Sequence, residues 1–575
     1  MSGLHIGFFA IVGFFVGNFI GRFLQLVWHT CPSMLLGHFF AFFCATFYSV
    51  IAGLNIPTLR TLIMLGVVQC CFAWRRTFRG SDTLLLALMF VLLYDPLAAF
   101  DIGFWLSFGA VGMLIFCFSG RIKARQKMPG SALLPAVKLP FSNILLLHRY
   151  CFEFIQSQWV MFVGLLIPLA MLVHTSPLLA PLANVVAIPL VTFFVVPCLI
   201  VAASFHVICA EMGAGLESFF LHCAELGLLW LHLWLQYLLE LGAGKLNPLI
   251  NFNSSAIPLA CISVFLILLP PKLGNKWLGI TGVLIALIIP LKPLPALQML
   301  VFDVGQGTAI LLRTPHHQLL YDTGPLYTEN FDAGSALIVP YLQSHGVQRL
   351  DTVVVSHSDK DHSGGLAGVL AETRVEKLLL GEPEKYNAAF AADKQLAKLD
   401  QFGVNQFGKK PPHIDSCHQV EPWQWEQVRF RFLTWPVNAS AKSNNQSCVL
   451  LVEYLGHKIL LTGDIEKEVE AILLTQESLA QVEVLVAPHH GSHTSSTQAL
   501  VAQTQPDYVI YSAGYRNQFG HPHKAIQARY LAVNAKPLNT AYSGAIEVNW
   551  SLGKLISMRE YRYFSRRYWF DANAE

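Results

Sequence analysis

Long apolar runs fill the first half of this chain, and they constrain its fold more than any other feature. The 575 residues are 54% hydrophobic and 13% charged, which is more apolar surface than a soluble protein could bury. About ten runs are long or apolar enough to be helices that cross a hydrocarbon core about 30 Å thick. They lie near residues 4–24, 33–53, 57–74, 83–100, 103–119, 158–175, 182–204, 217–240, 256–270 and 277–292. The sequence therefore predicts a polytopic α-helical membrane bundle.

The second half of the chain has a different composition. Beyond about residue 295, charged residues and short alternating strands replace the long apolar runs. We therefore expect two domains, residues 1–294 in the membrane and residues 295–575 outside the lipid. The net charge of +3 does not by itself indicate a polyanionic partner. Of 12 cysteines only Cys417 and Cys448 fall in the polar half, so no disulfide framework is predicted, although that pair could bridge in an oxidising compartment.

Basic residues between the apolar runs predict the orientation of the chain. They form three clusters, which we expect to lie in the cytoplasm. The clusters are Arg75, Arg76 and Arg79, then Arg121, Lys123, Arg125 and Lys127, then Lys272 and Lys276. The last apolar run then leads outward, so we predict a multi-pass inner-membrane protein whose polar domain lies outside the cytoplasm.

Polar side chains inside the apolar runs allow two interpretations each. Arg60, Asn184 and Asn18 are costly in lipid, so they either line a path through the bundle or hold helices together. A polar stripe follows one face of the run at residues 217–240. It consists of His222, Glu225, His232, Gln236 and Glu240. That stripe either borders an aqueous pore or faces water from a helix that lies in the membrane interface.

The strongest chemical signal is the string HSDKDHSGG at residues 357–365, which follows the apolar strand LDTVVVS. Side chains at the end of a strand converge, and this string places four potential metal ligands within six positions. They are His357, Asp359, Asp361 and His362. The glycines that follow let the backbone pass close to such a site. A charged, solvated turn after a strand is the alternative interpretation.

This string resembles the His-x-His-x-Asp-His signature of metallo-β-lactamase-fold hydrolases, with Asp359 in place of the second histidine. The resemblance implies an αβ/βα metallo-β-lactamase-fold domain with two divalent metal ions. One would be held by His357 and Asp359, and the other by Asp361 and His362. A carboxylate in place of an imidazole hardens the site, so we expect Mn²⁺ or Mg²⁺ to be favoured over Zn²⁺.

Two further strings complete the expected metal site. KILLTGD at residues 458–464 resembles the strand that delivers a bridging carboxylate, which makes Asp464 the candidate bridge. VLVAPHHGSHTSS at residues 484–496 ends a strand at His489 and His490, one of which should be a ligand, but the sequence does not say which. We expect Asp361, Asp464 and His490 to act in catalysis, with the two carboxylates positioning the attacking water.

Other strings suggest residues that surround this site. NNQSCVLLVEY resembles the family's Asn-x-x-Ser-x-Val segment, so Asn444 and Ser447 could orient a phosphate or a ligand, or could merely begin a strand. Ser492 is a further candidate contact for the substrate. His521, in NQFGHPH, either reaches the site or lies in a turn. The opening string DVGQGT resembles Asp-Val-Gly-Gln-Gly-Asp, with Thr308 in the last position.

The C-terminal string MREYRYFSRRYWF at residues 558–570 interleaves arginines with aromatic side chains, a mixture that suits single-stranded nucleic acid. Arg562, Arg566 and Arg567 are the candidate DNA contacts. A last strand followed by an aromatic and basic anchor at the membrane interface is an equally good interpretation.

The membrane half resembles a second family independently. The resemblance lies in MSGLHIG at residues 1–7, GLNIPTLRTLIM at 53–64, DPLAAFDIGFWLSFGAVG at 95–112 and ANVVAIPL at 183–190, which are similar to signatures of the competence-protein channel domain. Together with the hydrolase strings they make nearly the whole chain resemble the ComEC-type DNA-uptake proteins. In that family the Ser-Gly-x-His string lies inside the channel domain, so we expect this chain to be N-terminally truncated.

This resemblance implies a role in natural transformation. The chain would form an inner-membrane channel for single-stranded DNA, with an attached metal-dependent nuclease that degrades the strand left outside. Its partners would be single-stranded DNA, the lipid bilayer and other DNA-uptake machinery, while the oligomeric state is not predicted. Two alternatives remain, because a fold alone does not fix a reaction. One is a membrane-tethered metallo-hydrolase of a small phosphodiester or thioester, and the other is a non-catalytic domain that gates a channel.

Overall fold

The chain forms two compact units, Met1–Ile289 and Pro290–Glu575. The structure is a computed structural model that describes residues 3–30, 32–53, 56–73, 79–119, 141–172, 178–208, 214–242, 255–269, 275–289, 293–329, 331–385, 412–436, 442–476 and 479–566. The basic residues at 75–76, 121–127 and 272, on which the predicted orientation rests, lie outside these ranges, and so does Arg567.

Apolar helices make up the described part of the first unit, as the sequence predicts. They are α1 Gly3–Leu24, α2 Ser33–Ile51, α3 Ile56–Ala73, α4 Gly80–Tyr94, α5 Ile102–Ser119, α6 Phe141–Leu172, α7 Ala180–Leu190, α8 Val196–Ile208, α9 Ala214–Gly242, α10 Ile257–Leu268 and α11 Lys276–Ile288. A 3₁₀ turn at Pro96–Phe100 separates α4 from α5, and a π-helical turn at Val191–Val195 joins α7 to α8.

Five stretches of the described chain are long and apolar enough to cross a membrane. They are Ile6–Leu24, Ser33–Ile51, Cys151–Met171, Ala180–His206 and Gly215–Leu241. The other predicted crossings correspond to apolar helices of 10–17 residues. A helix rises only 1.5 Å per residue, so these are shorter than a hydrocarbon core of about 30 Å. Their crossing of the bilayer stays a prediction.

Close packing between α1 and α2 depends on glycine. A Cβ atom at Gly13 would lie 2.5 Å from the main-chain oxygen of Phe40, and one at Gly17 would lie 2.6 Å from that of Leu36. Small residues at such spacing let helix backbones approach within a membrane. Large side chains on the outer face, such as Phe19, are exposed. This surface is suited to lipid rather than to water.

The polar residues predicted to line a path have different surroundings. Arg60 is buried in α3, and its Nη1 donates to Asp101 Oδ2 at 3.2 Å. Asp101 Oδ1 also accepts the main-chain N–H of Gly103 at the start of α5. Arg60 therefore links two helices, and a role in a DNA path stays a prediction. Asn184 is exposed on α7, and the five polar side chains of the α9 stripe are exposed as well.

The second unit is built mainly of strands. They are β1 Leu297–Val301, β2 Ile310–Arg313, β3 Gln318–Tyr321, β4 Leu326–Thr328, β5 Phe331–Asp332, β6 Arg349–Val355, β7 Arg374–Leu380, β8 His413–Ser416, β9 Trp423–Trp425, β10 Val428–Leu433, β11 Val449–Tyr454, β12 His457–Leu461, β13 Val484–Val486, β14 Tyr508–Tyr511, β15 Lys536–Asn539, β16 Ile546–Ser551 and β17 Lys554–Glu560.

Helices of one to three turns connect these strands. They are α12 Val339–Ser344, α13 Lys360–Ser363, α14 Leu366–Glu372, α15 Lys467–Gln476, α16 Gln498–Thr504, α17 Lys524–Ala532, α18 Thr540–Ser543 and α19 Tyr561–Phe564. Single turns of other helix types occur at Gly334–Ile338, Cys417–Gln419, Ser443–Gln446 and Pro488–Gly491.

The long strands form two sheets. One has the order β17-β16-β1-β2-β3-β6-β7-β8, the other has the order β15-β14-β13-β12-β11-β10-β9, and β4 pairs with β5 alone. In the first sheet β3, β6, β7 and β8 run parallel, and in the second sheet β12 to β15 do. The remaining neighbours in each sheet are antiparallel.

Alternating side chains place the sheets face to face with helices outside. Met299 of β1 points into a core shared with β11 and β12, whereas its neighbour Leu300 points outward against α12 and α14. In the second sheet Ile459 of β12 points inward, and Leu460 packs outward against α15, α16 and α17. Successive side chains on a strand point to opposite faces, so each sheet buries both. The result is the four-layer αβ/βα domain that the sequence predicts.

Cys417 and Cys448 form a disulfide, as the sequence allowed. Cys417 follows β8 at the edge of the first sheet, and Cys448 immediately precedes β11 in the second sheet. Both residues are buried in the core between the sheets. The bond therefore ties the two sheets together.

Candidate metal centre

Loops that follow β6, β12 and β13 bring four side chains into one cluster. Asp361, His362, Asp464 and His490 each offer a ligand atom, and these atoms all lie within 4.8 Å of one another. His362 Nε2 lies 3.0 Å from Asp464 Oδ1, and His490 Nε2 lies 3.3 Å from Asp361 Oδ2. Carboxylate oxygens and imidazole nitrogens at this spacing can share one divalent cation.

His357 and Asp359 form a second group beside this cluster. The buried ring of His357 lies 4.3 Å from that of His362, centroid to centroid. His357 Nε2 lies 3.5 Å from Asp359 Oδ2 and has no hydrogen-bond partner among the described residues. Leaving a buried imidazole nitrogen without a partner is costly, and a cation would satisfy it. The donor set therefore fits a second metal ion.

Asp322 orients one of the metal-facing histidines, a role that the sequence did not reveal. His362 Nδ1 donates to Asp322 Oδ2 at 2.7 Å, which leaves His362 Nε2 free to face the cluster. Asp322 also accepts the main-chain N–H of Ser356 at 2.6 Å and the Ser356 hydroxyl at 2.9 Å. A carboxylate behind a ligating histidine fixes its tautomer and its direction. The aspartate that follows β3 was visible in the sequence, but its partner lies 40 residues away.

The two adjacent histidines, His489 and His490, lie in different surroundings, and which of them is a ligand stays a prediction. His490 is buried within the four-residue cluster. His489 lies at its side, with Nε2 3.7 Å from Asp464 Oδ2 and Nδ1 2.9 Å from the hydroxyl of Thr494. Both residues have left-handed backbone angles, with φ of 51° and 55°. This unusual turn points their side chains in different directions, which strand periodicity could not predict.

Ser447 contacts two of the candidate ligands, Asp464 and His357. Its hydroxyl accepts the main-chain N–H of Asp464 at 3.1 Å and lies 3.4 Å from His357 Nδ1. The role of Ser447 in orienting a ligand or a phosphate stays a prediction. The main-chain oxygen of Asn444 accepts the N–H of Ser447, and the neighbouring Asn445 accepts the N–H of Glu466 through its side chain.

Ser492, His521 and Thr308, which the sequence singled out beside the predicted ligands, have different surroundings. Ser492 is buried, and its hydroxyl accepts from that of Thr494 at 3.2 Å. The ring of His521 lies 6.3 Å from that of His490, and its Nδ1 is buried without a partner among the described residues. Thr308 donates its main-chain N–H to the main-chain oxygen of Asp361 at 3.1 Å. Thr308 thus anchors the loop that carries a predicted ligand.

Arg562 and Arg566, two of the predicted C-terminal DNA contacts, differ in their bonding and exposure. Arg562 Nη2 lies 2.9 Å from Asp303 Oδ2, and its Nη1 donates to the main-chain oxygen of Ala541. These two bonds occupy the guanidinium of Arg562 within the domain. Arg566 is exposed after α19. Tyr563 and Phe564 of α19 are also exposed, whereas Tyr561 packs against the core. A role in DNA binding stays a prediction for this segment.

A polar rim beside Asp359 was not found from the sequence. Glu382 is buried and accepts the main-chain N–H of Ser358, which lies between His357 and Asp359. Lys385 Nζ contacts both Glu382 Oε1 at 2.5 Å and the hydroxyl of Ser358 at 3.2 Å. Glu382 follows the parallel strand β7, and the parallel pairing of β6 with β7 brings it to the loop that carries the candidate ligands.

Opposite charges determine the protonation of the cluster. Burial would raise the pKa of Asp464, but the charges of His362 and His490 outweigh it and hold that pKa well below its usual value. Burial would likewise lower the pKa of His362, yet the carboxylates of Asp464 and Asp322 raise it well above the usual value. Without a cation His362 and His490 therefore carry the compensating positive charge. A divalent ion would take over that role and displace the protons.

Comparisons with known proteins match both halves of the chain. Residues 1–274 match the family described as "Competence protein", and residues 302–515 match the "Metallo-beta-lactamase superfamily". "Competence protein ComA" of Neisseria gonorrhoeae is 30% identical over 531 residues, which cover 90% of this chain and 66% of that protein. "Uncharacterized protein YcaI" of Escherichia coli (strain K12) is 30% identical over 97% of this chain and 68% of its own length. "Recombination protein 2" of Haemophilus influenzae is 29% identical over 99% of this chain and 70% of its own length. The chain thus spans about two thirds of the length of these relatives.

Proposed function

Because this chain belongs to the family of competence proteins that carry a metallo-β-lactamase-type domain, we propose that it acts in DNA uptake during transformation. Residues 1–294 would form an inner-membrane channel for single-stranded DNA, in contact with the lipid bilayer and with other uptake proteins. Residues 295–575 would form a metal-dependent nuclease that degrades the strand that is not transported.

A single observation carries the enzymatic part of the proposal. Three separate strand ends deliver Asp361, His362, Asp464 and His490 to one point, and next to it the buried Nε2 of His357 has no partner among the described residues. A domain that used these residues only for folding would gain nothing from bringing like charges together. Perturbed carboxylates and histidines that share a cluster are typical of functional sites.

The residues of the cluster can divide the work of phosphodiester hydrolysis between them. Two divalent cations held there would supply Lewis-acid chemistry, making water acidic and offsetting the charge of a phosphoryl group. The Asp361 side chain is 33% exposed, whereas those of His362, Asp464 and His490 are at most 5% exposed. Asp361 is therefore placed to orient the attacking water, whose proton passes to solvent. The water oxygen bonds to phosphorus as the bond from phosphorus to the leaving deoxyribose oxygen breaks, and that oxygen takes up a proton from solvent.

The donor set favours hard cations. Asp359, Asp361 and Asp464 contribute three carboxylates beside the imidazoles, and oxygen-rich sites suit Mn²⁺ and Mg²⁺ better than Zn²⁺. We therefore propose Mn²⁺ or Mg²⁺ as the working ions.

The position of this domain outside the cytoplasm is also part of the proposal. The Cys417–Cys448 disulfide supports it, because such bonds persist in oxidising compartments and are rare in the cytosol. Exposed Arg566 and the rim lysine Lys385 are cations that could contact DNA phosphates.

The test is cleavage of DNA by the purified full-length chain in nanodiscs, with Mg²⁺, Mn²⁺ or Zn²⁺ added in turn. We expect cleavage with Mn²⁺ or Mg²⁺, and we expect Asp464→Asn and His357→Ala to abolish it. Asp415→Asn is a matched control, since the Asp415 side chain is also 33% exposed but pairs with Lys377 on another strand. Turnover of a small ester with no cleavage of DNA would contradict the proposed substrate, and retention of cleavage by both ligand variants would contradict the site.

A further inference from the structure

Two leucines project side by side from neighbouring hairpin tips of the second unit. Leu552, between β16 and β17, is the most exposed large apolar side chain of the described residues, at 91%. Leu455, between β11 and β12, is 57% exposed. A Cβ atom placed at Gly553 would lie 3.6 Å from Leu455 Cδ1, so the two tips are in contact. We define Leu455 and Leu552 as the leucine pair.

The leucine pair is held in an unusual backbone conformation. Leu455 has a φ of 44° and Leu552 a φ of 51°, the left-handed region that favours glycine or asparagine. Each is followed by a glycine, which eases the turn but does not relieve the leucine itself. Exposed leucine at a strained position stabilises neither the core nor the turn. Strain of this kind calls for a functional explanation.

Hydrogen bonds between residues next to the two tips hold the hairpins together. Glu483 Oε2 accepts from His457 Nδ1 and from Trp550 Nε1, each at 2.8 Å. His457 Nε2 donates in turn to the main-chain oxygen of Gly553 at 2.8 Å. These bonds connect β12 and β13 of one sheet to the hairpin of the other. The leucine pair is thus a fixed feature of the surface.

Strand register shows at which end of the domain the leucine pair lies. Leu297, the first residue of β1, pairs with Trp550 of β16, two residues before Leu552. The loop after the other end of β1 carries Thr308, which bonds to the main chain of Asp361 in the metal centre. The leucine pair therefore lies where the chain enters the domain, and the metal centre lies at the opposite end.

Chain connectivity limits how far this end can lie from the last apolar helix. The apolar helix α11 ends at Ile288, and only residues 289–296 separate it from β1. Even fully extended, this segment reaches about 30 Å. If α11 lies in the bilayer, as the sequence predicts, a hairpin tip next to the start of β1 is within reach of that bilayer.

We propose that the leucine pair inserts into the lipid surface and holds the second unit against the membrane. Leucines at an interface bury their side chains at the boundary between headgroups and acyl chains. Exposed Lys554, next to the tip, adds attraction to anionic headgroups. This inference does not depend on the proposed reaction, since it concerns the end of the domain opposite to the metal centre.

Photocrosslinking of the full-length chain tests this inference. A photoreactive amino acid replaces Leu552, Leu455 or Phe519 in chains held in nanodiscs of phosphatidylethanolamine and phosphatidylglycerol. Phe519 is the matched control, because it is 53% exposed and its ring lies 5.7 Å from that of His521, near the metal centre. Mass spectrometry then measures phospholipid adducts. We expect about tenfold more adduct at positions 552 and 455 than at 519, the ratio that burial of one leucine side chain in lipid would give.

A second variant separates a lipid contact from a structural role. Leu552→Asn places a residue that tolerates left-handed backbone, so the thermal unfolding midpoint should stay the same or rise. Adducts at position 455 should nevertheless fall by about tenfold in this variant. Equal adducts at 552 and 519, adducts at 552 to protein instead of lipid, or unchanged adducts at 455 in Leu552→Asn would each overturn the inference.

Discussion

Replacing Asp322 by asparagine should weaken the metal centre without unfolding the domain. Asparagine has the same shape and tolerates the positive φ of 58° at this position. It can still accept the main-chain N–H of Ser356, which Asp322 accepts at 2.6 Å. Where Asp322 Oδ2 accepts from His362 Nδ1, however, asparagine would present an N–H group.

The physical consequence is a change of tautomer in His362. A neutral imidazole facing an N–H donor must accept through Nδ1, so its proton moves to Nε2. His362 Nε2 is the atom that lies 3.0 Å from Asp464 Oδ1 and 3.3 Å from His490 Nε2. A protonated nitrogen cannot bind a cation. Loss of such an orienting partner costs about 10- to 100-fold in metal affinity or activity, which corresponds to about 1.4–2.7 kcal/mol.

Metal content and cleavage rate of the same preparation measure this effect. At a Mn²⁺ concentration well above the wild-type Kd, each tenfold loss of affinity should remove about 1.4 kcal/mol of the stabilisation that the ion gives. Asp351→Asn is the control, because Asp351 is also buried and accepts a main-chain N–H, that of Gln318, at 2.7 Å. Full metal content and a wild-type rate in Asp322→Asn would refute the role of Asp322, and equal losses in Asp351→Asn would show a general defect.

Three further predictions test other parts of the account. Asp359→His should shift the preference of the cleavage reaction from Mn²⁺ toward Zn²⁺, since it restores an imidazole to the donor set; an unchanged order of metals would place Asp359 outside the site. Cys417→Ser should lower the free energy of unfolding by about 3–4 kcal/mol, the loop-closure value for the sequence separation of 31 residues between the cysteines. Urea unfolding of the second unit, with and without reductant, measures this loss. Reductant should not change the stability of the variant. Burial lowers the pKa of His457, but its bonds to the Gly553 oxygen and to Glu483 outweigh burial and raise that pKa. The stability that His457 adds should therefore be complete below about pH 6.5 and should be lost as the pH rises through the raised pKa. Thermal unfolding between pH 5.5 and pH 8 measures this dependence, and its persistence in His457→Gln would contradict the prediction.

Short-range patterns in the sequence predicted much of the site. His357, Asp361 and His362 lie within one string after a strand, so local spacing alone identified them. Asp464, at the end of a second apolar strand, was predicted from the resemblance of KILLTGD to the strand that delivers a bridging carboxylate in metallo-β-lactamase-fold hydrolases. The fold brings Asp361, His362 and Asp464 together because the end of a buried strand gives its neighbours a common direction.

Contacts between distant parts of the chain could not be read from local patterns. Asp322 and His362 are 40 residues apart, and Arg562 pairs with Asp303 across 259 residues. Local patterns left Arg562 open to a DNA contact or a membrane anchor, whereas the fold pairs it with Asp303. Nor could helical length be read from hydropathy alone, since apolar runs such as 83–100 and 277–292 contain turns or ends that leave helices of fewer than 18 residues.

Electron paramagnetic resonance of the Mn²⁺-loaded full-length chain tests the central claim most directly. The account predicts two ions about 3.5–4 Å apart, and therefore the spectrum of an exchange-coupled pair. Asp464→Asn should abolish the coupling, because Asp464 lies beside both groups of ligands. A spectrum of single, uncoupled Mn²⁺ in the wild-type chain, or no bound Mn²⁺ at all, would contradict it.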